Sequence, residues 1–285
     1  MKIAVLTDSG SGLTQKEADE LGIFYLSLQV ICNGNEYLDG RNITTKEVYH
    51  FLHEGIMPTT SMPTMGSMEM LLQDIKAKGY DEVIAVPITS GLSSTFQVLK
   101  TVASQVGISM HLIETYTTCN IQRYVATSAK KLVDQGLEVK EIVERLQESI
   151  DQSNTLIIPD DLQHLKRGGR LTPLAAALGG LLKIKPILQL NQTSNGKIDV
   201  YEKVRTMSKA QQNAVLTFAQ MKLDDSYELT VLHADSQEEG EKLQQLMKES
   251  FPNAPLYFGV ICAVISCHTG IGCLGIQYIK KVRGL

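Results

Sequence analysis

Apolar runs alternate with amphipathic stretches through the first half of this 285-residue chain. The runs typical of buried strands cover residues 2–6, 23–31, 82–88 and 110–114. Helical spacing of apolar positions is found in residues 15–21, 46–53, 65–78, 95–105, 119–135 and 139–151. This alternation predicts an α/β fold in which a mostly parallel sheet carries helices on both faces.

Two of the predicted helices start with a capping box, in which a glutamate follows a threonine by three residues. The pairs are Thr14 with Glu17 and Thr44 with Glu47. Thr64, which follows Pro63, is predicted to cap the helix at residues 65–78. These residues are therefore assigned to local structure.

The pattern changes near residue 153, where a second α/β unit is expected to begin. Residues 155–159 form an apolar strand, and the Asn195-Gly196 turn between residues 185–190 and 197–204 predicts an antiparallel hairpin. Further helices are predicted at 208–221 and 237–249, and strands at 228–233, 256–260 and 273–279. We therefore expect two domains, because one core rarely serves a chain of this length: residues 1–153, and residues 154–285 with a mainly antiparallel or mixed sheet.

Composition and charge narrow the possible functions. Charged residues make up 20% of the chain, the formal net charge is −4 and tryptophan is absent, so a nucleic-acid-binding face is not expected. The apolar start is too short for a signal peptide, and no apolar run is long enough for a membrane span. Five cysteines without a C-x-x-C pair indicate reduced thiols and no metal site. A cytoplasmic protein without a cofactor is the expectation.

Hydroxyl residues are concentrated after the strand predicted at residues 82–88, where a helix is expected to start. One hydroxyl there is explained by a helix N-cap. Three consecutive hydroxyls, Ser93, Ser94 and Thr95, exceed that need. Because ligands of open α/β sheets lie at the carboxyl ends of strands, this turn is predicted to bind a carboxylate or phosphate.

A second hydroxyl-rich turn is predicted at residues 58–64, also before a helix. Thr64 is assigned to the helix cap, which leaves Thr60 and Ser61 free. Two such turns could converge on one negatively charged group from opposite sides.

Arg170 and His268 are further candidates for anion binding. Arg170 follows Gly168-Gly169 and can hold an oxyanion through two parallel hydrogen bonds, although a solvent-exposed charged loop is the competing interpretation. His268 lies in an apolar segment, where a hydrogen-bonded core histidine is the commoner role. No P-loop or G-x-G-x-x-G is present, so no nucleotide site is predicted.

Five motifs, in this order, resemble those of the DegV family of bacterial fatty-acid-binding proteins. They are Thr7-Asp8-Ser9-Gly10, Pro-Thr-Thr-Ser-x-Pro at residues 58–63, Thr-Ser-Gly-Leu-Ser-Ser-Thr at 89–95, Lys-Arg-Gly-Gly-Arg-Leu at 166–171 and Cys-His-Thr-Gly-Ile-Gly at 267–272. Because they extend from residue 7 to residue 272, the resemblance covers essentially the whole chain.

The resemblance implies a two-domain protein that holds one long-chain fatty acid between its domains. It implies that the protein is not an enzyme alone: it presents the carboxylate to a separate ATP-dependent fatty acid kinase and carries the acyl phosphate to an acyltransferase of phospholipid synthesis. Membrane contact would be transient at most. The resemblance implies that Ser93 and the Thr60-Ser61 pair bind the carboxylate, with Ser61 as the first choice within its pair, and that Arg170 and His268 lie near it. We add Ser94, the neighbour of Ser93, to the predicted ligand residues.

The stretches predicted to line the acyl tail are residues 23–31, 62–70, 175–182 and 260–265, in which unbranched methionines could adapt to a flexible chain. The sequence departs from the family pattern at four positions, Ser94, Cys267, Ile271 and Cys273. Ile271 and Cys273 could reshape the pocket, which leaves the preferred chain length and unsaturation open.

Two other functions stay open. Ser93 and His268 could form a self-contained acyl hydrolase or acyltransferase, although no G-x-S-x-G nucleophile elbow is present. The chain could also be a sensor that changes its domain angle when it binds a small carboxylate.

Overall fold

A computed structural model describes residues 2–178 and 184–285 as an α/β protein built on three sheets. The strands are, in chain order, β1 Ile3–Asp8, β2 Phe24–Leu26, β3 Gln29–Cys32, β4 Asn35–Leu38, β5 Thr59–Ser61, β6 Glu82–Val86, β7 Ser109–Leu112, β8 Ser153–Ile158, β9 Ile187–Gln189, β10 Asp199–Glu202, β11 Tyr227–His233, β12 Leu256–Val260 and β13 Leu274–Lys280. The helices are α1 Gln15–Glu20, α2 Thr45–His53, α3 Met65–Ala77, α4 Thr95–Val106, α5 Asn120–Asp134, α6 Val139–Ile150, α7 Leu162–Arg167, α8 Pro173–Leu178, α9 Met207–Ala219, α10 Gln237–Ser250 and α11 Ala263–Thr269.

The first sheet is parallel, with strand order β2-β1-β6-β7. Side chains alternate between its two faces along β1, as the strand period requires. Ala4 and Leu6 pack with residues of α3 and α4 in one core cluster, whereas Val5 packs with residues of α5 and α6 in another. The predicted parallel sheet with helices on both faces is therefore confirmed.

The second sheet is mixed, with strand order β10-β9-β8-β13-β11-β12 and one parallel pair, β11 with β12. Leu274, Ile276 and Tyr278 of β13 face the core beneath α9 and α10. The predicted hairpin around Asn195-Gly196 is present as the antiparallel pair β9 and β10. Both residues of the turn have positive φ, 52° and 67°, which explains the Asn-Gly sequence.

The prediction of one strand over residues 23–31 was wrong. The segment breaks at Ser27 and Leu28, and its second part, β3, leaves the parallel sheet to pair with β4 and β5. Leu28 makes the break possible because its N–H donates to the Ser9 hydroxyl and its carbonyl accepts from the Asp39 N–H. Thr60 and Ser61 consequently lie on a strand, β5, and not on the predicted turn.

The predicted helix caps are confirmed. Thr14 and Thr44 each form a complete capping box with the glutamate three residues later, and the Thr64 hydroxyl accepts from the Ser67 N–H at 3.1 Å. Each cap satisfies donors that the first helical turn leaves without intrahelical partners.

The chain passes from the first sheet to the second at β8, which starts at Ser153. One core cluster contains residues from both parts of the chain, among them Ile88 and Cys119 before β8 and Ile157 and Val264 after its start. The division into domains 1–153 and 154–285 stays a prediction. Within residues 2–178 and 184–285, no helix combines the length and apolar character needed to cross a bilayer.

Candidate functional site

A cavity with hydroxyl groups in its wall, called the hydroxyl cavity below, brings together residues from distant segments. It encloses about 500 Å³ of space outside the protein atoms, including its opening to solvent. The lining residues are Leu28, Thr60, Ser61, Met62, Ile88, Leu92, Ser93, Arg170, Ile198, Val264, Ile265, His268 and Thr269. Five of the six predicted ligand residues are in this wall, and Ser94 is the exception.

Ser94 lies outside the cavity wall. It is the residue before α4, its side chain is exposed and it makes no capping hydrogen bond. Ser93 takes the capping role, because the Thr95 N–H donates to its hydroxyl at 3.3 Å and the two hydroxyl oxygens are 2.8 Å apart. The three hydroxyls of this turn therefore face different surroundings, which their consecutive positions could not reveal.

The turn before α4 packs closely against the second half of the chain, which explains why residue 91 is glycine. A Cβ atom on Gly91 would lie 2.1 Å from the carbonyl oxygen of Gly196, in the β9–β10 turn. A Cβ on Gly196 would lie 2.0 Å from the Thr89 hydroxyl oxygen. Only main chain fits between the two segments, so both glycines are required for the turns to meet at the cavity.

Thr60 and Ser61 enter the cavity wall from β5. Ser61 lies opposite Gln29 of β3 in the antiparallel register, and its hydroxyl donates to the Gln29 side-chain oxygen at 2.5 Å. Thr60 is hydrogen-bonded to His268, with 2.6 Å between its hydroxyl oxygen and Nε2. Gln29 of the small sheet therefore orients the Ser61 hydroxyl, and His268 of α11 orients the Thr60 hydroxyl.

Arg170 and His268 share one acceptor, the carbonyl oxygen of Gly168. Arg170 donates to it from a terminal guanidinium nitrogen at 2.8 Å, and His268 Nδ1 lies 3.1 Å from it. The arginine ion pairs within residues 2–178 and 184–285 are formed by Arg123, Arg145 and Arg283 and do not include Arg170. Arg170 thus has charge available for an anion in the cavity.

His268 is neutral at physiological pH. Burial and, to a smaller extent, the nearby charge of Arg170 lower its pKa to about 4. Because the Gly168 carbonyl can only accept, Nδ1 carries the proton, and Nε2 accepts from the Thr60 hydroxyl. Arg170 is therefore the cation in this wall, and His268 is a polar group held in one tautomer.

A second cavity, called the apolar cavity below, adjoins the first. It encloses about 440 Å³ of space outside the protein atoms, including its openings. Leu92, Ile198, Ile265 and Thr269 line both cavities. The other lining residues are Thr118, Cys119, Thr155, Ile157, Leu190, Leu232, Ile261, Gly275 and Gln277. A path from polar groups to an apolar enclosure suits an amphiphilic ligand.

Gln277 and Thr155 lie in the apolar cavity wall, but their polar atoms are bonded within the protein. The Gln277 amide nitrogen lies 3.0 Å from both the Thr118 carbonyl oxygen and the Thr155 hydroxyl oxygen. The Thr155 and Thr117 hydroxyl oxygens are 2.7 Å apart. The side-chain oxygen of Gln277 accepts from the Ile121 N–H at 3.4 Å. The wall consequently offers an apolar tail few competing polar partners.

Only some residues of the predicted tail-lining stretches line the two cavities. The residues that do so are Ile261, Val264 and Ile265 from 260–265, Leu28 from 23–31 and Met62 from 62–70, and Ile265 lines both cavities. Met65 and Met70 are 49% and 67% exposed, and Met68 packs in the core beneath the parallel sheet. Ala175 and Leu178 belong to the shared core and are absent from both walls, while residues 179–182 lie outside the described residues.

Two buried carboxyl groups behind the hydroxyl cavity were not assigned a role from the sequence. Burial raises the pKa of Asp8 to about 6, although its oxygens accept from the N–H groups of Gly10 and Ile88 and from the Gln122 amide. Burial raises the pKa of Asp39 to about 7. The sequence offered a signal for Asp8, because it belongs to the first of the five motifs, but it offered no signal for Asp39.

Among the described residues, no cluster of histidine, cysteine and carboxylate groups could hold a metal ion.

The sequence of this chain is similar to those of known proteins. A family model described as "Uncharacterised protein, DegV family" matches residues 2–281. A DegV domain-containing protein of Halalkalibacterium halodurans is 34% identical, over 98% of this chain and 99% of the relative. Another, from Streptococcus pneumoniae, is 31% identical, over 99% of this chain and 100% of the relative.

Two solved structures share the fold over nearly their whole length. DegV of Bacillus subtilis, a fatty acid binding protein, is 31% identical with a TM-score of 0.87, over 99% of this chain and 100% of its own. A fatty acid binding DegV family protein of Streptococcus agalactiae is 29% identical with a TM-score of 0.90, over 99% of each chain.

Proposed function

We propose that this chain, which belongs to the DegV family, binds one long-chain fatty acid as its ligand. The carboxylate would lie in the hydroxyl cavity and the acyl tail in the apolar cavity. The observation that carries this proposal is that the two cavities lie side by side and share four lining residues, with Ser61, Ser93 and Arg170 in the wall of the first. The structural relatives that bind fatty acids support the same ligand class.

The tail and the carboxylate of a fatty acid need different surroundings, and the two cavities supply them. Burying a 16-carbon chain contributes on the order of 12 kcal/mol before the costs of association, at about 0.8 kcal/mol per methylene. An ionised carboxylate next to that enclosure requires hydrogen bonds or a counter-charge. Arg170 supplies the charge, and the Ser93 hydroxyl supplies a donor. The Ser61 hydroxyl supplies a second donor when it turns away from Gln29, whereas the Thr60 hydroxyl donates to His268.

We further propose that the protein presents the carboxylate to a separate ATP-dependent fatty acid kinase and carries the acyl phosphate to an acyltransferase of phospholipid synthesis. The family resemblance supports this role, and the cavity wall offers hydroxyls and a cation but no nucleotide-binding motif. A neutral hydroxyl set with one arginine tolerates both the monoanionic acid and a more highly charged product.

A self-contained Ser93 and His268 hydrolase receives less support from the geometry. Within the described part of the chain, the Ser93 hydroxyl is hydrogen-bonded to Thr95, and His268 is bonded to Thr60 and Gly168. A general base must reach the proton of its nucleophile, and the Nε2 lone pair of His268 already accepts from Thr60.

The test of fatty acid binding is native mass spectrometry of the purified protein with its serine variants. The double variant Ser61→Ala, Ser93→Ala is expected to bind a 16-carbon acid about 10- to 30-fold more weakly, because two hydrogen bonds to the carboxylate are lost. Ser94→Ala, a change of the neighbouring but exposed hydroxyl, is the control and should retain wild-type affinity. Failure of the unaltered protein to bind any fatty acid would refute the proposal, and retention of a short polar acid would favour the sensor.

The apolar cavity is expected to reject a second carboxylate at the end of the tail. A 16-carbon dicarboxylic acid should bind at least about 100-fold more weakly than the monocarboxylic acid of the same length, because an unpaired buried carboxylate costs several kcal/mol. Competition between the two acids in one sample measures this ratio. Equal affinities would mean that the end of the tail reaches solvent.

A further inference from the structure

Gly275 occupies the middle of the second sheet without a structural reason to be glycine. It lies on β13, between β8 and β11, and pairs in regular register with Ile157 and Leu232. A Cβ atom built on it would meet its nearest neighbours, the Leu156 carbonyl oxygen and the Leu232 Cβ, at 3.9 Å. Its φ is not positive, so neither backbone conformation nor crowding requires glycine.

Glycine in a central strand is unfavourable because it has high conformational freedom in the unfolded chain and offers no side chain to pack. The neighbours of Gly275 on the same strand show which face of the sheet its side chain would occupy. Leu274 and Ile276 face the core beneath α9 and α10, whereas Gly275 and Gln277 alternate to the opposite face and line the apolar cavity. The side chain that Gly275 lacks would therefore project into the space proposed for the acyl tail.

We propose that Gly275 determines the length of acyl chain that the apolar cavity accepts. This inference rests on the proposed fatty acid binding and assigns the length selectivity to one residue of the cavity wall. The adjacent wall cannot move readily to compensate, because Gln277 is bonded to Thr118 and Thr155 and β13 is paired on both sides. A larger residue at position 275 takes volume directly from the tail.

The expected effect follows from the cost of excluding methylenes. Each methylene that loses its place lowers affinity by about fourfold, as the fold-change equivalent of its transfer free energy. Gly275→Ala should lower the ratio of affinities for 18- and 14-carbon acids by about fourfold. Gly275→Leu should lower it by more than about tenfold and shift the preferred acid to one roughly three carbons shorter.

The experiment is competition among saturated acids of 12 to 20 carbons in one equimolar mixture, read by native mass spectrometry of the full-length protein. The control is Gly66→Leu, since Gly66 lies near the start of the exposed face of α3 and a Cβ there meets nothing within 4 Å. Circular dichroism melting establishes that each variant is folded. If Gly275→Leu does not fold, Gly275→Ala alone tests the inference, because the structure has room for the single methyl group that alanine adds.

Each outcome has a distinct meaning. A loss of long acids from the Gly275 variants, with wild-type selectivity in the Gly66 variant, would establish the inference. Wild-type chain-length ratios in folded Gly275→Ala and Gly275→Leu would overturn it while leaving fatty acid binding intact. If the unaltered protein binds none of the acids, the proposed function fails, and the inference fails with it.

Discussion

Replacing Arg170 with alanine is expected to lower the affinity for a long-chain fatty acid by about 10- to 100-fold, the usual range for a lost charge-assisted hydrogen bond. Arg170 is the cation of the hydroxyl cavity, because His268 is neutral there. The loss should be larger for the acyl phosphate than for the acid, since the product carries more negative charge. Titration calorimetry with the acid, and kinase-dependent turnover of the bound acid, measure the two effects.

The neighbouring arginine provides a matched control. Arg167 is exposed at the end of α7 and does not line the cavity, so Arg167→Ala should bind the acid, and present it to the proposed kinase, as well as the unaltered protein. Arg170→Lys keeps the charge but loses the two-pronged geometry, and an intermediate affinity is expected. Unchanged affinity and turnover in Arg170→Ala would place the ligand head away from this residue.

Replacing Asp39 with asparagine is expected to stabilise the protein by about 2 to 4 kcal/mol at pH 8 and by little at pH 4. The pKa of Asp39 is about 7 in the folded protein because the group is buried, well above its ordinary value of 3.8. A raised carboxyl pKa stabilises the fold when the group is protonated. This contribution is therefore fully present below about pH 4 and is lost as the pH rises through 7. Asparagine removes the charge and avoids that loss.

Asp8 is the contrasting position for this experiment. Both of its oxygens accept from N–H donors, Oδ1 from Gly10 and Gln122 and Oδ2 from Ile88. An asparagine amide would face one of these donors with its own N–H. Oδ2 of Asp39, by comparison, has no hydrogen-bond partner within residues 2–178 and 184–285, so an amide N–H placed there would oppose no donor. Asp8→Asn should consequently give no stabilisation at pH 8.

Urea unfolding of the three proteins at pH 4 and pH 8 separates these cases. The informative quantity is the difference in unfolding free energy between each variant and the unaltered protein, because it cancels the pH dependence of all other groups. If Asp39→Asn is no more stable than the unaltered protein at pH 8, the Asp39 carboxylate must be better compensated in the folded state than its burial indicates.

The parallel sheet could be predicted because its strands are short apolar runs separated by amphipathic helices. Alternation along β1 and β6 then assigns each side chain to one of two cores. The small antiparallel sheet could not be predicted in the same way. β5 has three residues, Thr59–Ser61, and its partner β3 lies about thirty positions earlier in the chain, so neither length nor periodicity marks the pairing.

Individual polar residues of the cavity could be selected from the sequence, but their arrangement could not. Ser93 was identifiable from its position after a strand, whereas the different surroundings of Ser94 depend on how the turn packs. The shared Gly168 carbonyl unites Arg170 and His268, which are nearly one hundred positions apart. The apolar cavity was the hardest to predict, because residues such as Ile198 and Gly275 come to line the same cavity only when the second half of the chain folds.

The contact between Gly91 and Gly196 has an evolutionary consequence. The two positions are separated by more than one hundred residues, yet each is limited by main-chain or hydroxyl atoms of the other segment. A side chain at either position would displace the opposite turn, and this displacement would also move the wall of the hydroxyl cavity. Substitutions at Thr89, Gly91 and Gly196 are therefore expected to occur together in a lineage, as one compensated change, and the loop lengths on both sides should remain fixed.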